Sequence, residues 1–213
     1  MKTKKSHYIQ DLILEGEHEH QDFKYQISDA RKIARSISAF ANNSGGHLLV
    51  GVKDNGRIVG VSSDEEIYMM HSAAMRYCRP AASIQFDTLR VHGKTVVVVT
   101  VPVAHRKPVT APTEDGDYRA FVRVKDENVV ASPVHLRLWH DEQSAAGVML
   151  SYSDEESVFL RSMEEGGPLS LNSLVRRSTM GRYRIVSLLA RLIRFGVVRC
   201  EWKDNGWIYS LCK

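Results

Sequence analysis

The segment that most constrains the fold is residues 95–101, TVVVVTV, an uninterrupted run of β-branched residues. Such residues favour extended backbone, and a run that is apolar without alternation predicts a buried central strand. The residues before it, SIQFDTLRV, predict a hairpin partner that turns at His92–Gly93. The chain has 213 residues and 43% hydrophobic content, enough for one large domain or two modest ones.

The residues on either side of this strand predict further strands and helices. The stretch DFKYQI alternates, which places Phe23 and Tyr25 on a core-facing side and Asp22 and Lys24 on the other. The remaining predicted elements, in chain order, are a helix from the N-cap Ser28 to Gly45–Gly46, a hairpin at Asn55–Gly56, a helix over about 64–79, the strand YRAFVRV, and a helix with Ser132 as N-cap and Pro133 at its first position.

Residues 1–142 are predicted to form one α+β domain, and residues 154–213 a second, smaller one. The segment SAAGVMLSYS has small and polar residues without a clear period, so we predict a linker over 143–153. The residues after it predict three helices followed by the hairpin VVRCEWKDNGWIYSL. That order is typical of a winged helix-turn-helix domain.

The third helix of the second domain has an apolar stripe on one side and a basic opposite side. The basic side carries Arg184, Arg191 and Arg194 together with Ser187, and the turn that enters the helix carries Arg176, Arg177 and Arg182. A recognition helix presents its first residues to base edges or phosphates, so we predict nucleic-acid contacts from these arginines. A helix hairpin that binds only another protein remains the alternative.

The net charge of +4 and the isoelectric point near 9.0 favour anionic partners weakly. In the first domain, the outer face of the first predicted helix carries Arg31, Lys32 and Arg35, and a later loop carries Arg106 and Lys107. These residues supply charge without reading sequence, so we predict phosphate contacts from them. For the loop, a plain solvated role is an equal alternative.

The stretch EHEHQDFK, residues 17–24, concentrates carboxylates, two histidines and a lysine. A carboxylate and an ammonium two residues apart on a strand project together, so Asp22 could hold a divalent cation while Lys24 stabilises charge on a phosphate. Asp54 lies at the predicted hairpin tip, and Glu17 reaches the same site only if the chain bends between residues 17 and 22. The alternative is a simple ion pair of Lys24 with Asp22 or Glu17.

The three cysteines, Cys78, Cys200 and Cys212, lie far apart and form no CxxC pair. A reducing cytoplasm fits this usage best. The basic start MKTKKSHY is not followed by an apolar segment, and no run is long enough to cross a bilayer, so we expect neither secretion nor a membrane partner.

Three stretches together resemble the Schlafen AlbA-like domain: EHEHQDFK, AFANNSGGHLLVGVKDNGRIVGV and FVRVKDENVVAS. The resemblance covers roughly residues 11 to 140, and the C-terminal part resembles the winged-helix modules of bacterial transcriptional regulators. It implies a nucleic-acid-binding α+β fold with an AlbA-like mixed sheet and flanking helices. In animal Schlafens the corresponding acidic residues cut transfer RNA with a divalent metal.

By motif position, the resemblance implies a catalytic and metal-binding role for Glu17, Asp22 and Asp54, with Lys24 beside them and Mg²⁺ or Mn²⁺ as the cofactor. One departure concerns Asp22, which stands where the family usually has glutamate, so its reach is one methylene shorter. This weakens the expectation of cleavage but not that of binding. The cysteine and histidine zinc site of the animal proteins is absent from this sequence.

The resulting hypothesis is a cytoplasmic nucleic-acid-binding protein, with DNA-binding transcriptional regulation as the leading role. One alternative is a metal-dependent endoribonuclease that acts on structured RNA such as transfer RNA. Another is a non-catalytic protein-interaction adaptor. Because the animal Schlafen core has two AlbA-like lobes and this chain has one, we also expect a homodimer.

Overall fold

The computed structural model describes residues 2–143 and 153–212, without the side chains of residues 2–7 and 63. The chain divides into two units, Met1–Val130 and Ala131–Lys213. Both units mix helices and strands, which confirms the predicted α+β class. None of the helices in the described residues has the length and apolar character that a membrane span needs.

The first unit contains three α-helices and seven strands. Its helices are α1 (Lys2–Glu15), α2 (Ala30–Asn42) and α3 (Ser63–Ser72), the last continued by a π-helical turn over Ala73–Tyr77. Its strands are β1 (Gln21–Lys24), β2 (Gly46–Val50), β3 (Gln85–Val91), β4 (Lys94–Val101), β5 (Thr110–Pro112), β6 (Tyr118–Val124) and β7 (Glu127–Val130). They form a mixed sheet of order β1-β2-β4-β3, in which β1 and β2 are parallel, and an antiparallel sheet of order β5-β6-β7.

Strand β4 is the buried inner strand that the TVVVVTV run predicted, since it pairs with β2 on one side and β3 on the other. Its alternate side chains belong to two separate cores. Val97 and Val99 pack with residues of α2, whereas Val96 and Val98 pack with residues of α1. Because helices cover both faces of the sheet, β4 has no polar face, which is why its sequence does not alternate.

Several local predictions for this unit are wrong in detail. Phe23 is buried but Tyr25 is exposed. Strand β1 ends at Lys24, so the alternation of side chains between the two faces of the sheet does not extend to Tyr25. The N-cap of α2 is Asp29 rather than Ser28, and its carboxylate accepts a hydrogen bond from the backbone N–H of Arg31 at 2.8 Å. The hairpin near Asn55 is reduced to one antiparallel bridge, between Val52 and Ile58.

Within residues 131–143 and 153–212, the second unit contains four helices and three strands. They are α4 (Pro133–Glu142), α5 (Asp154–Gly166), β8 (Leu169–Ser170), α6 (Leu171–Arg177), α7 (Arg182–Arg194), β9 (Val198–Lys203) and β10 (Gly206–Leu211). The strands form an antiparallel sheet of order β8-β10-β9. From α5 onward the order is helix, strand, helix, helix and hairpin, so the three predicted helices and the hairpin are present and the short strand β8 was not predicted.

Helix α4 belongs to the second unit, although the predicted boundary at 142 placed it in the first. Its N-cap is Ser132 with Pro133 following, as predicted. The buried Val134 packs in the same core as α7, and the hydroxyl of Tyr209 donates to that of Ser132 at 2.9 Å. The division therefore falls after Val130. Of the predicted linker 143–153, residues 144–152 lie outside the described residues.

Candidate functional site

A tight turn brings the two acidic ends of the EHEHQDFK stretch together. Helix α1 ends before Gly16, whose φ is +73°, and His18 and Gln21 then exchange backbone hydrogen bonds of 2.9 and 3.2 Å. The Glu17 carboxylate accepts the backbone N–H of Phe23 at 2.9 Å. The predicted bend between Glu17 and Asp22 is therefore confirmed.

Asp22 is the centre of a buried ionic cluster at the start of β1. Its side chain is almost wholly buried, and Lys24 Nζ lies 2.8 Å from one carboxylate oxygen. Arg123 on β6, which is equally buried, places Nη2 3.4 Å from the other oxygen. Ser36 on α2 adds a hydroxyl at 3.4 Å. Cationic and hydroxyl donors thus surround this carboxylate.

The residues around Asp22 are themselves held by hydrogen bonds between elements. Arg123 Nη1 donates to Asn128 Oδ1 at 3.1 Å, and Asn128 Nδ2 donates to Ser36 Oγ at 2.9 Å. The Arg123 guanidinium also lies 5.4 Å from the centre of the Phe40 ring. These contacts join α2, β6 and β7 to β1, so the cluster forms only when both sheets pack on α2.

Glu17 interacts with the Asp22 carboxylate of the same cluster. Burial raises the pKa of Glu17, and its hydrogen bond with the Asp22 carboxyl raises it further. A carboxyl with a raised pKa keeps its proton to higher pH, and in that form it donates to Asp22 rather than repelling it.

The prediction that Glu17, Asp22 and Asp54 form one metal site is wrong for this structure. Asp22 pairs in register with Leu48, whereas Asp54 is exposed in the turn that follows the end of β2 at Val50. Over residues 2–143 and 153–212, no three histidine, cysteine, aspartate or glutamate side chains converge as a metal-binding group. The donor set for Mg²⁺ or Mn²⁺ is incomplete, and Lys24 and Arg123 already neutralise Asp22.

A cleft of about 540 Å³ opens beside this cluster. Its lining includes four cationic residues, Lys24, Lys32, Arg35 and Arg123, and four carboxylates, Asp22, Glu114, Asp126 and Glu127. Because the two signs balance, the cleft has no excess positive charge to attract a phosphate backbone.

The predicted basic residues of the first unit have different local surroundings. Arg35 Nε donates to the Pro112 carbonyl at 2.8 Å, and Lys107 Nζ donates to the Asn43 carbonyl at 3.1 Å, so both fasten loops. Arg31 lies over the ring of Tyr77 at 5.7 Å. Arg106 is exposed at a separate cleft on the Pro102–Val109 loop.

On α7, two of the predicted nucleic-acid-binding arginines form ion pairs inside the second unit. Arg184 lies 2.7 Å from the Glu155 carboxylate, and Arg191 lies 2.8 Å from that of Glu156. Both glutamates belong to the first turn of α5. Two arginines on the polar side of α7 are therefore paired with α5, although 57% of the Arg184 side chain stays exposed, and nucleic-acid contacts from α7 stay a prediction.

The arginines at the entrance to α7 remain exposed. Arg176 and Arg177 end α6, and Arg182 begins α7. Arg182 and Arg176 bond only to small polar neighbours, the Asn172 side chain at 2.8 Å and the Ser173 hydroxyl at 3.4 Å. These three cations are free of carboxylates within the described residues.

Sequence reasoning missed the buried polar residues that hold the first unit together. Asn42 Nδ2 donates to the carbonyls of Val109 and Phe121 at 2.8 and 2.9 Å, and its Oδ1 accepts from the Val109 N–H at 2.8 Å. Ser38, one turn earlier, donates to the Val109 carbonyl at 2.7 Å. The sequence contained one indication of this role, since both are polar residues on the otherwise apolar side of α2.

Residues 17–132 match the family model described as Schlafen, AlbA_2. The match covers more than half of the chain. This chain belongs to the Schlafen AlbA_2 family. The resemblance drawn from the three sequence stretches is confirmed for the family. The AlbA_2 match ends at Ser132, so α4 and all later elements lie beyond it.

Two solved structures are similar to this AlbA_2 chain. The DIP2311 protein from Corynebacterium diphtheriae is 18% identical, with a TM-score of 0.47, over 89% of this chain and 34% of that one. The N-terminal domain of a RecG-related protein from Nitrosomonas europaea is 22% identical, with a TM-score of 0.45, over 70% of this chain and 97% of that one. The chain thus spans about a third of DIP2311. No curated protein matches it.

Proposed function

We propose that this protein binds duplex DNA through the turn between α6 and α7 and acts as a transcriptional regulator. The observation that carries the proposal is the exposed group Arg176, Arg177 and Arg182. A winged helix presents this turn and the first residues of its second helix-turn-helix helix to DNA. The element order of the second unit supports that assignment.

Charge segregation within the second unit supports the same surface. Residues 167–203 contain eight arginine or lysine residues and one glutamate, whereas α5 contains five acidic residues and one arginine. The positive charge is therefore concentrated on α6, α7 and β9, where it can neutralise phosphates. Membership of the AlbA_2 family adds support for nucleic acid as the partner.

The two alternatives have unequal support. The endoribonuclease requires a metal site that Glu17, Asp22 and Asp54 do not form, so no observation favours it. The protein-interaction adaptor is favoured by the internal pairing of Arg184 and Arg191, which removes two cations from α7. The following experiment separates DNA binding from both alternatives.

The test compares Arg176→Gln/Arg177→Gln with the matched double variant Arg57→Gln/Arg90→Gln, which removes the same charge from two exposed positions of the first unit. Affinity for duplex DNA is measured between 50 and 200 mM salt. Each lost phosphate contact flattens the log–log salt slope by about 0.9, so we expect a change of about 1.8 for the first variant and none for the control.

Equal slopes for the two double variants would overturn the assignment of the α6–α7 turn. If the wild-type protein binds no DNA at 50 mM salt, the adaptor replaces the regulator. Incubation of the protein with transfer RNA, with and without Mn²⁺, tests the endoribonuclease alternative. Cleavage of the RNA only in the presence of Mn²⁺ would support that alternative. The homodimer remains a prediction from the resemblance, and light scattering at micromolar concentration checks it.

A further inference from the structure

The Glu155 carboxylate joins three parts of the second unit. Glu155 lies in the first turn of α5. The hydroxyl of Thr179, in the turn between α6 and α7, donates to one of its oxygens at 3.2 Å. Nη1 of Arg184, in the first turn of α7, donates to the other oxygen at 2.7 Å. A hydroxyl and a guanidinium from the α6–α7 region therefore converge on one carboxylate.

These contacts of Glu155 are open to solvent. The exposed fraction is 57% for the Arg184 side chain and 37% for the Glu155 side chain, and Thr179 is also exposed. The neighbouring pair of Arg191 and Glu156 is more enclosed, with 25% and 15% of the side chains exposed. A large ligand in solution can therefore reach Thr179 and Arg184 more easily than it can reach Arg191.

The two glutamates also differ in what they do for α5. Glu156 completes a capping box, because its carboxylate accepts the backbone N–H of Ser153 at 3.1 Å. The oxygens of Glu155 instead accept from Thr179 and Arg184. The helix dipole favours an acidic residue in the first turn, but it does not require these two contacts. If Glu155 lost them, the start of α5 would remain capped by Glu156.

Thr179 and Arg184 are residue types that bind DNA phosphates. Arginine and hydroxyl side chains are among the usual donors to the phosphate oxygens of DNA. A phosphate group presents acceptor oxygens and negative charge, as a carboxylate does, so it can accept from the same two donors. Because an exposed ion pair is weak and is screened by solvent, displacement of Glu155 from Arg184 costs little.

We propose that Thr179 and Arg184 bind a backbone phosphate of duplex DNA, and that Glu155 occupies this phosphate site in the unbound protein. The inference rests on the proposed function and extends it, because DNA then has to displace an internal anion. Glu155 therefore lowers the affinity of the protein for DNA. Arg184 pairs with Glu155 in the free protein and with a phosphate in the complex.

The affinity of the full chain for duplex DNA tests the proposal, measured between about 50 and 200 mM salt. Glu155→Gln keeps a hydrogen-bond acceptor for Thr179 but cannot form an ion pair with Arg184. We expect this variant to bind DNA about fivefold more tightly, which corresponds to about 1 kcal/mol. Asp154→Asn removes the same charge from the adjacent exposed residue and is the matched control. The control should change the affinity by less than about twofold.

Two further variants test the donors separately. Arg184→Gln should weaken binding and flatten the log–log salt slope by about 0.9, because one charged phosphate contact is lost. Thr179→Val should weaken binding without a change in slope, since a hydroxyl carries no charge. In the Arg184→Gln background, Glu155→Gln should give no more gain in affinity than Asp154→Asn, because the phosphate site has lost its cation.

The inference is overturned if Glu155→Gln binds DNA no more tightly than Asp154→Asn, or if its gain persists in full without the Arg184 guanidinium. An unchanged salt slope for Arg184→Gln also overturns it, independently of Glu155→Gln. The proposed function survives either result as long as binding still depends on Arg176 and Arg177. If neither the wild type nor Glu155→Gln binds DNA, the proposed function and this inference both fail.

Discussion

At the scale of single residues, Asp22 is charged, buried and surrounded by donors from three other residues. Its partner Arg123 is exposed by only 3%, so each charge depends on the other for compensation. Removal of one member of a buried pair leaves the other uncompensated, which costs far more than loss of a surface charge. Asp22 therefore stabilises the fold of the first unit through Arg123.

Asp22→Asn should lower the free energy of unfolding by about 3 kcal/mol, because the Arg123 charge stays buried without its counter-ion. Chemical denaturation of the full chain measures the change. Asp54→Asn is the matched control and should stay within about 0.5 kcal/mol of the wild type, since Asp54 is exposed in a turn. An Asp22→Asn variant as stable as the Asp54→Asn control would contradict the role given to Asp22.

At the scale of an element, the start of α4 depends on a histidine that must stay neutral. His135 Nδ1 accepts the backbone N–H of Ser132 at 3.2 Å and lies 2.8 Å from its hydroxyl. Since that nitrogen is an acceptor, protonation would break the cap. The His135 ring is buried beside Trp207, and the two ring centres are 4.4 Å apart. Because burial disfavours the charged form, the pKa of His135 is lowered to about 4.

This depressed pKa predicts a loss of stability in acid. Well above pH 6.5, the ordinary pKa of histidine, His135 is neutral in both states and contributes no pH dependence. As the pH falls from 6.5 towards about 4, the unfolded chain binds a proton that the folded chain does not, so stability decreases. By pH 4.5 the loss from this residue should be roughly 2 kcal/mol.

His135→Gln isolates this effect, because glutamine at the same position can complete the capping box and does not titrate. The difference in unfolding free energy between wild type and variant should change with pH between 6.5 and 4.5 and be constant above 7. Parallel pH profiles for the two proteins would show that His135 is not buried in its neutral form.

At the scale of the whole molecule, the two units have separate hydrophobic cores. The core of the second unit draws on α4 through Val134 and Leu138, as well as on α5, α6, α7 and the sheet. The first unit has its own two cores on the faces of the mixed sheet. Each unit thus contains the apolar contacts that a domain needs to fold alone.

A fragment of residues 131–213 should therefore fold cooperatively by itself. A fragment of residues 154–213, which begins at the boundary predicted from the sequence, lacks α4 and should be less stable by about 2 kcal/mol or more, since the packing of Val134 and Leu138 in the core of this unit is lost. Circular dichroism during thermal unfolding compares the two. If the two fragments were equally stable, α4 would not be part of the second domain, and the domain boundary would lie near residue 142 as the sequence predicted.

The sequence by itself determined the features that depend on local patterns. The inner strand β4, the strand β6, the Ser132 cap of α4, and the three helices and hairpin after residue 153 follow from period, turn residues and capping. The family was predicted from three short stretches, and the match of the family model to residues 17–132 confirms it.

Only the tertiary structure decided what the charged residues do. Asp22 is neutralised by Arg123, which is distant in sequence and reaches it only when both sheets pack on α2. Asp54 stays apart because the parallel register of β1 and β2 leaves it in a turn beyond the strand end. Arg184 and Arg191 form ion pairs with glutamates of α5 because the packing of the second unit brings α5 and α7 together. An ion pair depends on distances between elements, and those distances are set by packing rather than by any local sequence pattern.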